Sequence, residues 1–136
     1  MRAGAVFICF LLLLAGTADA AVPPKLVFRV DRATATISHR HLVITAGGAV
    51  RSGGWGNPTL RVLAAAPEAK TIEVEFMARP PRHRAAVVQA ILPVSAKLKT
   101  GLPRYGAVEV KIVSENNSVT VPITVQDNAR TEVSRN

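Results

Sequence analysis

The chain is predicted to fold as an all-β sandwich of seven or eight short antiparallel strands. Three observations carry that expectation. From Lys25 to Val125 nearly every segment alternates apolar and polar residues with a period of two. Valine, isoleucine and threonine dominate those segments, as a pleated and half-buried surface favours. Turn-forming residues separate them, at Gly47-Gly48, Gly53-Gly54, Asn57-Pro58, Pro67, Pro80-Pro81, Gly101, Pro103, Gly106 and Asn116-Asn117.

Each strand is justified by its own pattern. In Lys25–Asp31 the residues Leu26, Phe28 and Val30 share a face; in Arg32–Ser38, Ala33, Ala35 and Ile37 do. His41–Ala46 places Leu42, Ile44 and Ala46 together, and Thr59–Leu63 places Leu60 with Val62. Thr71–Ala78 is the clearest case, with Ile72, Val74 and Phe76 inward and Glu73 and Glu75 outward. Ala85–Leu92 is apolar on both faces apart from Gln89 and reads as a central strand, and Pro93 divides it from the segment up to Lys99. In Ala107–Val113 the inward set is Val108, Val110 and Ile112; in Ser118–Val125 it is Val119, Val121, Ile123 and Val125. Pro122 cannot donate to a ladder, which places the last strand at an edge or a bulge. Ala64–Lys70 has room for one helical turn, and the polar residues 126–136 read as a disordered tail. The spacing suits an immunoglobulin-like sandwich, although a Cys–Trp–Cys pattern is absent. A transmembrane barrel would need longer strands and two aromatic girdles.

The N-terminus predicts export. Arg2, the apolar run Ala3–Ala15 and the A-x-A exit Ala18-Asp19-Ala20 form a secretory signal peptide, removed after Ala20. Residues 21–125 then form the β domain. Leu14-Ala15-Gly16 is followed by Thr17 rather than cysteine, so the released protein is expected to be soluble and not lipid-anchored, in the periplasm or outside the cell. No later apolar run is long enough for a spanning helix. The only cysteine, Cys9, leaves with the signal, which closes disulfide and thiol chemistry to the mature chain.

Charge narrows the partners. The 136-residue chain carries 17 basic and 9 acidic residues, and loss of Arg2 and Asp19 leaves the net charge at +8. Between Arg79 and Arg104 lie Arg79, Arg82, Arg84, Lys97, Lys99 and Arg104 with no carboxylate, a field that attracts anions. Phe28, Trp55, Phe76 and Tyr105 are too few to form a base-stacking platform, so nucleic acid is not expected as a partner.

The candidate sites each have a structural reading beside the functional one. Gly53-Gly54-Trp55-Gly56-Asn57-Pro58 either presents Trp55 and Asn57 to a ligand or forms a tight corner whose indole caps the core and donates its N–H to a carbonyl. Arg79, Arg82 and Arg84 either bind anions or form a solvated surface. His39 and His41, two apart on one strand face, have a spacing that suits a metal, with His83 as a third ligand; the flanking Arg40, Arg82 and Arg84 oppose a dication, and no metal or other cofactor is expected. Glu73 and Glu75 share a solvent face and read as counter-charges. There is no G-x-S-x-G elbow, phosphate loop or thiol nucleophile, so a non-enzymatic binding module is expected, with no catalytic residues. Asn116-Asn117-Ser118 fits a glycosylation sequon but reads better as a hairpin turn.

Two resemblances add to this reading. The stretch Gly53-Gly54-Trp55-Gly56-Asn57-Pro58-Thr59-Leu60, with Ala78-Arg79-Pro80-Pro81 and Asn117-Ser118-Val119, resembles a group of small exported bacterial proteins, which implies no activity. Asn57-Pro58-Thr59, the Gly53-Gly54 pair and Arg79-Pro80 also resemble the binding loops of chagasin-type cysteine-protease inhibitors, but in a different order. That resemblance implies that the 53–58 and 79–84 loops lie at one end of the sandwich.

Overall fold

The structure, a computed structural model, describes residues 22–64, 68–82, 86–102 and 106–126. The expected signal-peptide segment, the residues beyond Gln126, the middle of the expected helical turn at 65–67, and His83, Arg84 and Arg104 lie outside the described residues. The fold is all-β, with strands β1 (Lys25–Leu26), β2 (Arg29–Ser38), β3 (His41–Val50), β4 (Gly56–Val62), β5 (Thr71–Arg79), β6 (Leu92–Gly101), β7 (Glu109–Val113) and β8 (Ser118–Val125). Three of them run to ten residues, longer than the alternation alone implies.

The strands form one curled sheet in the order β1-β5-β7-β8-β2-β3-β6, with β4 on β5. Most pairings are antiparallel, but β5 with β7 and β2 with β8 are parallel, so the sheet is mixed rather than wholly antiparallel. Local alternation cannot distinguish the two, because side chains alternate identically in both. The inner face closes over Val27, Val30, Leu42, Ile44, Val74, Phe76, Val110 and Ile112, all essentially inaccessible to solvent. Across β8, β2, β3 and β6, one inward row runs Ile123, Ala35, Ile44 and Leu98.

Several elements differ from expectation for identifiable reasons. The expected Lys25–Asp31 strand is broken: Lys25–Leu26 pairs with β5, and the chain crosses to β3 from Arg29. The phase changes at the crossing, so Val27 is buried in place of Phe28, and its N–H donates to the Phe76 carbonyl at 3.0 Å. Gly47-Gly48 is not a turn but the middle of β3. Asp31 is an extra residue in β2, between Val30 opposite Gly48 and Arg32 opposite Gly47. At Gly48 a Cβ would fall 2.0 Å from the Arg29 carbonyl oxygen, so only glycine admits this approach.

Residues 86–91 are not a central strand; Val88 is 68 % exposed and Ile91 55 %. The strand starts instead at Leu92, with Pro93 at its second position. Pro122 does not mark an edge either. It pairs with Glu109 in β7, and from Ile123 the strand turns to β2, so the missing N–H falls where β8 changes partner. Val108 and Val125, expected inward, are 55 % and 67 % exposed.

Asn117 holds the crossing in place. Its Oδ1 accepts from the Val30 N–H at 2.9 Å and its Nδ2 donates to the Val30 carbonyl at 2.8 Å, an imitation of a strand partner across 87 residues of sequence. The Ser114 hydroxyl lies 2.7 Å from both Asn117 Oδ1 and the Asn117 carbonyl, with one proton to donate between them, and fixes the β7–β8 turn expected at Asn116-Asn117.

Candidate functional site

The loop between β3 and β4 is built on glycine and one hydroxyl. Gly54 has φ +82°, and Asn57 has φ +48°, a conformation asparagine tolerates. Asn57 occupies a bulge between Gly56, opposite Arg79, and Thr59, opposite Met77. Trp55 is half-buried and packs on the core, and its Nε1 donates to the Ser52 hydroxyl at 3.2 Å, not to a carbonyl. Ser52 is itself buried and donates to the Gly53 carbonyl at 3.1 Å. The indole therefore serves packing on one side and leaves part of its surface open.

This loop meets the chain that runs on from β5. The Gly53 N–H donates to the Val88 carbonyl at 2.8 Å. A Cβ on Gly54 would stand 2.9 Å from Pro81 Cβ and 3.0 Å from a Val87 methyl. Both loops singled out in the sequence thus occupy one end of the sheet. These segments carry exposed Asn57, Arg79 and Arg82 together with the exposed apolar Val88 and Ile91. Among the described residues no carboxylate pairs with Arg79.

The histidines are arranged differently from expectation. His39 and Arg40 have φ +49° and +63° and form a two-residue hairpin between Ser38 and His41, the backbone signature of a type I′ turn. They do not share a strand face: His39 lies in the turn with its Nδ1 2.9 Å from the Ser38 hydroxyl, while His41 Nδ1 contacts the His39 carbonyl at 2.9 Å. Among the described residues no three histidine, cysteine or carboxylate side chains come together as metal ligands. Glu73 and Glu75 face solvent-side cations, Glu75 paired with Arg61 and Glu73 lying 3.8 Å from Lys111.

Sequence reasoning misses a second feature, an open groove of about 570 Å³ on the outer side of β2, β3 and β6. It lies over Gly47 and is bordered by Asp31, Arg32, Thr34, Thr45, Pro93 and Ser95, with Asp31 held 2.9 Å from Arg29. The Gly47-Gly48 pair is the available signal, but it reads as a turn without knowledge of the bulge opposite. Among the described residues no helix is long and apolar enough to cross a membrane. No protein-family model, curated protein or solved structure matches this chain.

Proposed function

We propose that this protein is an exported, non-enzymatic binding module that engages a protein or an anionic surface ligand through the end formed by residues 53–58 and 79–82. The observation that supports it most is the packing of Gly53 and Gly54 against Pro81, Val87 and Val88. Two loops distant in sequence are held together on one sheet, and they carry exposed cations and exposed apolar side chains. Export rests on the N-terminal segment, and N-terminal sequencing of fractionated cells should find a chain beginning at Ala21. We also read the general plan as immunoglobulin-like, with the β2–β8 and β5–β7 parallel pairings as its departures, and the resemblance to small exported bacterial proteins is part of the same reading.

The test is a panel of surface variants. Immobilised protein is exposed to an envelope extract, and specifically retained components are compared between wild type, Arg79→Glu, Val88→Asp and a distant control, Lys70→Glu. A partner kept by the control and lost by the two loop variants supports the reading. Equal retention by wild type and all three variants defeats it. The adjacency of the two loops also favours a second reading as a cysteine-protease inhibitor. That reading expects slowed papain turnover at micromolar protein, and undiminished turnover excludes it.

A further inference from the structure

We propose that the outer face of β2, β3 and β6 binds an acidic polysaccharide, a chain of carboxylate-bearing sugars laid in the groove over Gly47. The groove shares no residue with the 53–58 and 79–82 loops, so separate substitutions let either reading fail alone.

Charge on the sheet is segregated. Within β5 and β7 every carboxylate has a partner: Glu75 with Arg61, Glu73 with Lys111, and Glu109 with the Thr71 hydroxyl at 2.6 Å. On β2, β3 and β6 the only carboxylate is Asp31, which lies 2.9 Å from Arg29. Arg32, Lys97 and Lys99 share that outer face with no anion paired to them among the described residues. The row Arg32, Gly47, Ser95 crosses the sheet, and Lys97 and Lys99 continue from Ser95 at roughly 6.7 Å intervals. The cations therefore form a strip suited to a polymer with repeated negative charge.

The groove narrows the chemistry. Arg32 lies across the site where a Gly47 side chain would begin; a Cβ there would be 3.0 Å from Arg32 Nε. Its guanidinium is the cation at the groove, a group able to receive a carboxylate by two parallel hydrogen bonds. The exposed hydroxyls of Thr34, Thr45 and Ser95 surround it, and none has a partner among the described residues. Free hydroxyls beside a cation match a ligand rich in hydroxyls as well as charge. Exposed Pro93 at the groove offers a flat apolar wall for a sugar ring. None of the residues of β2, β3 and β6 is phenylalanine, tyrosine or tryptophan, so these strands offer no large ring for stacking bases or for inserting into a bilayer.

The experiment titrates the protein with polygalacturonate oligomers by calorimetry and by amide NMR. Neutral dextran, polyphosphate, duplex DNA and anionic phospholipid vesicles form the comparison arms. Expected are salt-sensitive binding of the galacturonate oligomers with shifts on Thr34, Thr45 and Ser95, and no binding of dextran. Arg32→Ala should weaken it at least tenfold, Gly47→Val similarly by displacing Arg32, and Thr45→Val by a few-fold with charge unchanged. Arg32 and Thr45 are exposed, so unaltered urea midpoints for those two variants separate ligand loss from unfolding. Absence of galacturonate binding overturns the proposal. So does tighter binding of polyphosphate, DNA or vesicles, or an Arg32→Ala variant with wild-type affinity.

Discussion

Alanine at Gly48 tests whether the bulge in β2 is a fixed part of the sheet. Glycine within a strand ordinarily costs about 0.5–1 kcal/mol relative to alanine, so an unconstrained replacement would stabilise. At Gly48 the new methyl would stand 2.0 Å from the Arg29 carbonyl oxygen and 3.0 Å from Val30 Cα. Both are backbone atoms of a paired strand and cannot swing aside as a side chain can. Relief requires β2 to move away from β3 at the bulge, which disturbs buried Val30 and its two hydrogen bonds with Asn117. Overpacking of this kind costs about 1–3 kcal/mol, and strain against backbone places Gly48→Ala at the upper end. The neighbouring Gly47→Ala meets only the flexible Arg32 side chain, and Gly101→Ala meets nothing within 4 Å. Both should fall within about 0.5 kcal/mol of wild type. Urea unfolding followed by the fluorescence of Trp55, the only tryptophan, reads all three. At about 4 °C per kcal/mol, Gly48→Ala should also lower Tm by roughly 8–12 °C. A Gly48→Ala midpoint equal to that of Gly101→Ala would refute the assigned register of β2 on β3.

The remaining expectations use the same unfolding assay. Asn117→Ala removes both bonds to Val30 and leaves its N–H and carbonyl unmatched, for a loss of about 2–3 kcal/mol. Phe76→Ala empties the largest fully buried side-chain site, for about 3–5 kcal/mol, whereas Arg61→Ala, which breaks an exposed ion pair, should change stability by less than about 1 kcal/mol. Replacing His39-Arg40 by Asn-Gly supplies the residues that a type I′ turn favours and should raise stability by up to about 1 kcal/mol.

Periodic features are legible in this sequence; features that depend on contacts between distant residues are concealed. Thr71–Arg79 can be read directly because Val74, Phe76 and Ala78 are buried at alternate positions of one uninterrupted strand. The core rows of β2 and β3 are equally visible. Gly47-Gly48 misleads because glycine signals a turn and a close backbone approach alike, and the bulge that decides between them lies in another strand. Ala86–Ile91 misleads because an apolar run carries no periodicity to show which face, if any, is covered. The hairpin at His39-Arg40 is hidden because neither residue is a usual left-handed former of such turns. For the candidate site, the two loops are identifiable from their glycine and proline content, whereas their proximity follows only from the inhibitor resemblance and not from any local pattern. The groove over Gly47 is invisible for the reason that conceals the strand beneath it.

The bulge, the proline and the asparagine clamp act together on where charge appears. Two of the chain's passages between the β5 and β3 sides of the sheet are made with almost no loop, one at Val27–Phe28 and one at Pro122–Ile123. Each crossing needs an interruption in the ladder: the unpaired stretch before Arg29 with the Asp31 bulge after it, and a residue without an N–H at Pro122. Asn117 ties the first crossing to the turn that precedes the second. Because β8 pairs first with β7 and then with β2, it joins a carboxylate-bearing half around β5 and β7 to a half, β2, β3 and β6, that carries cations and hydroxyls. The extra residue in β2 also restores Arg32 to the outer side opposite Gly47, so soon after inward Val30. A strand without the bulge would turn Arg32 toward the core, since a one-residue slip exchanges the two faces. The irregularity that requires glycine at position 48 is therefore the same one that places a guanidinium in the groove.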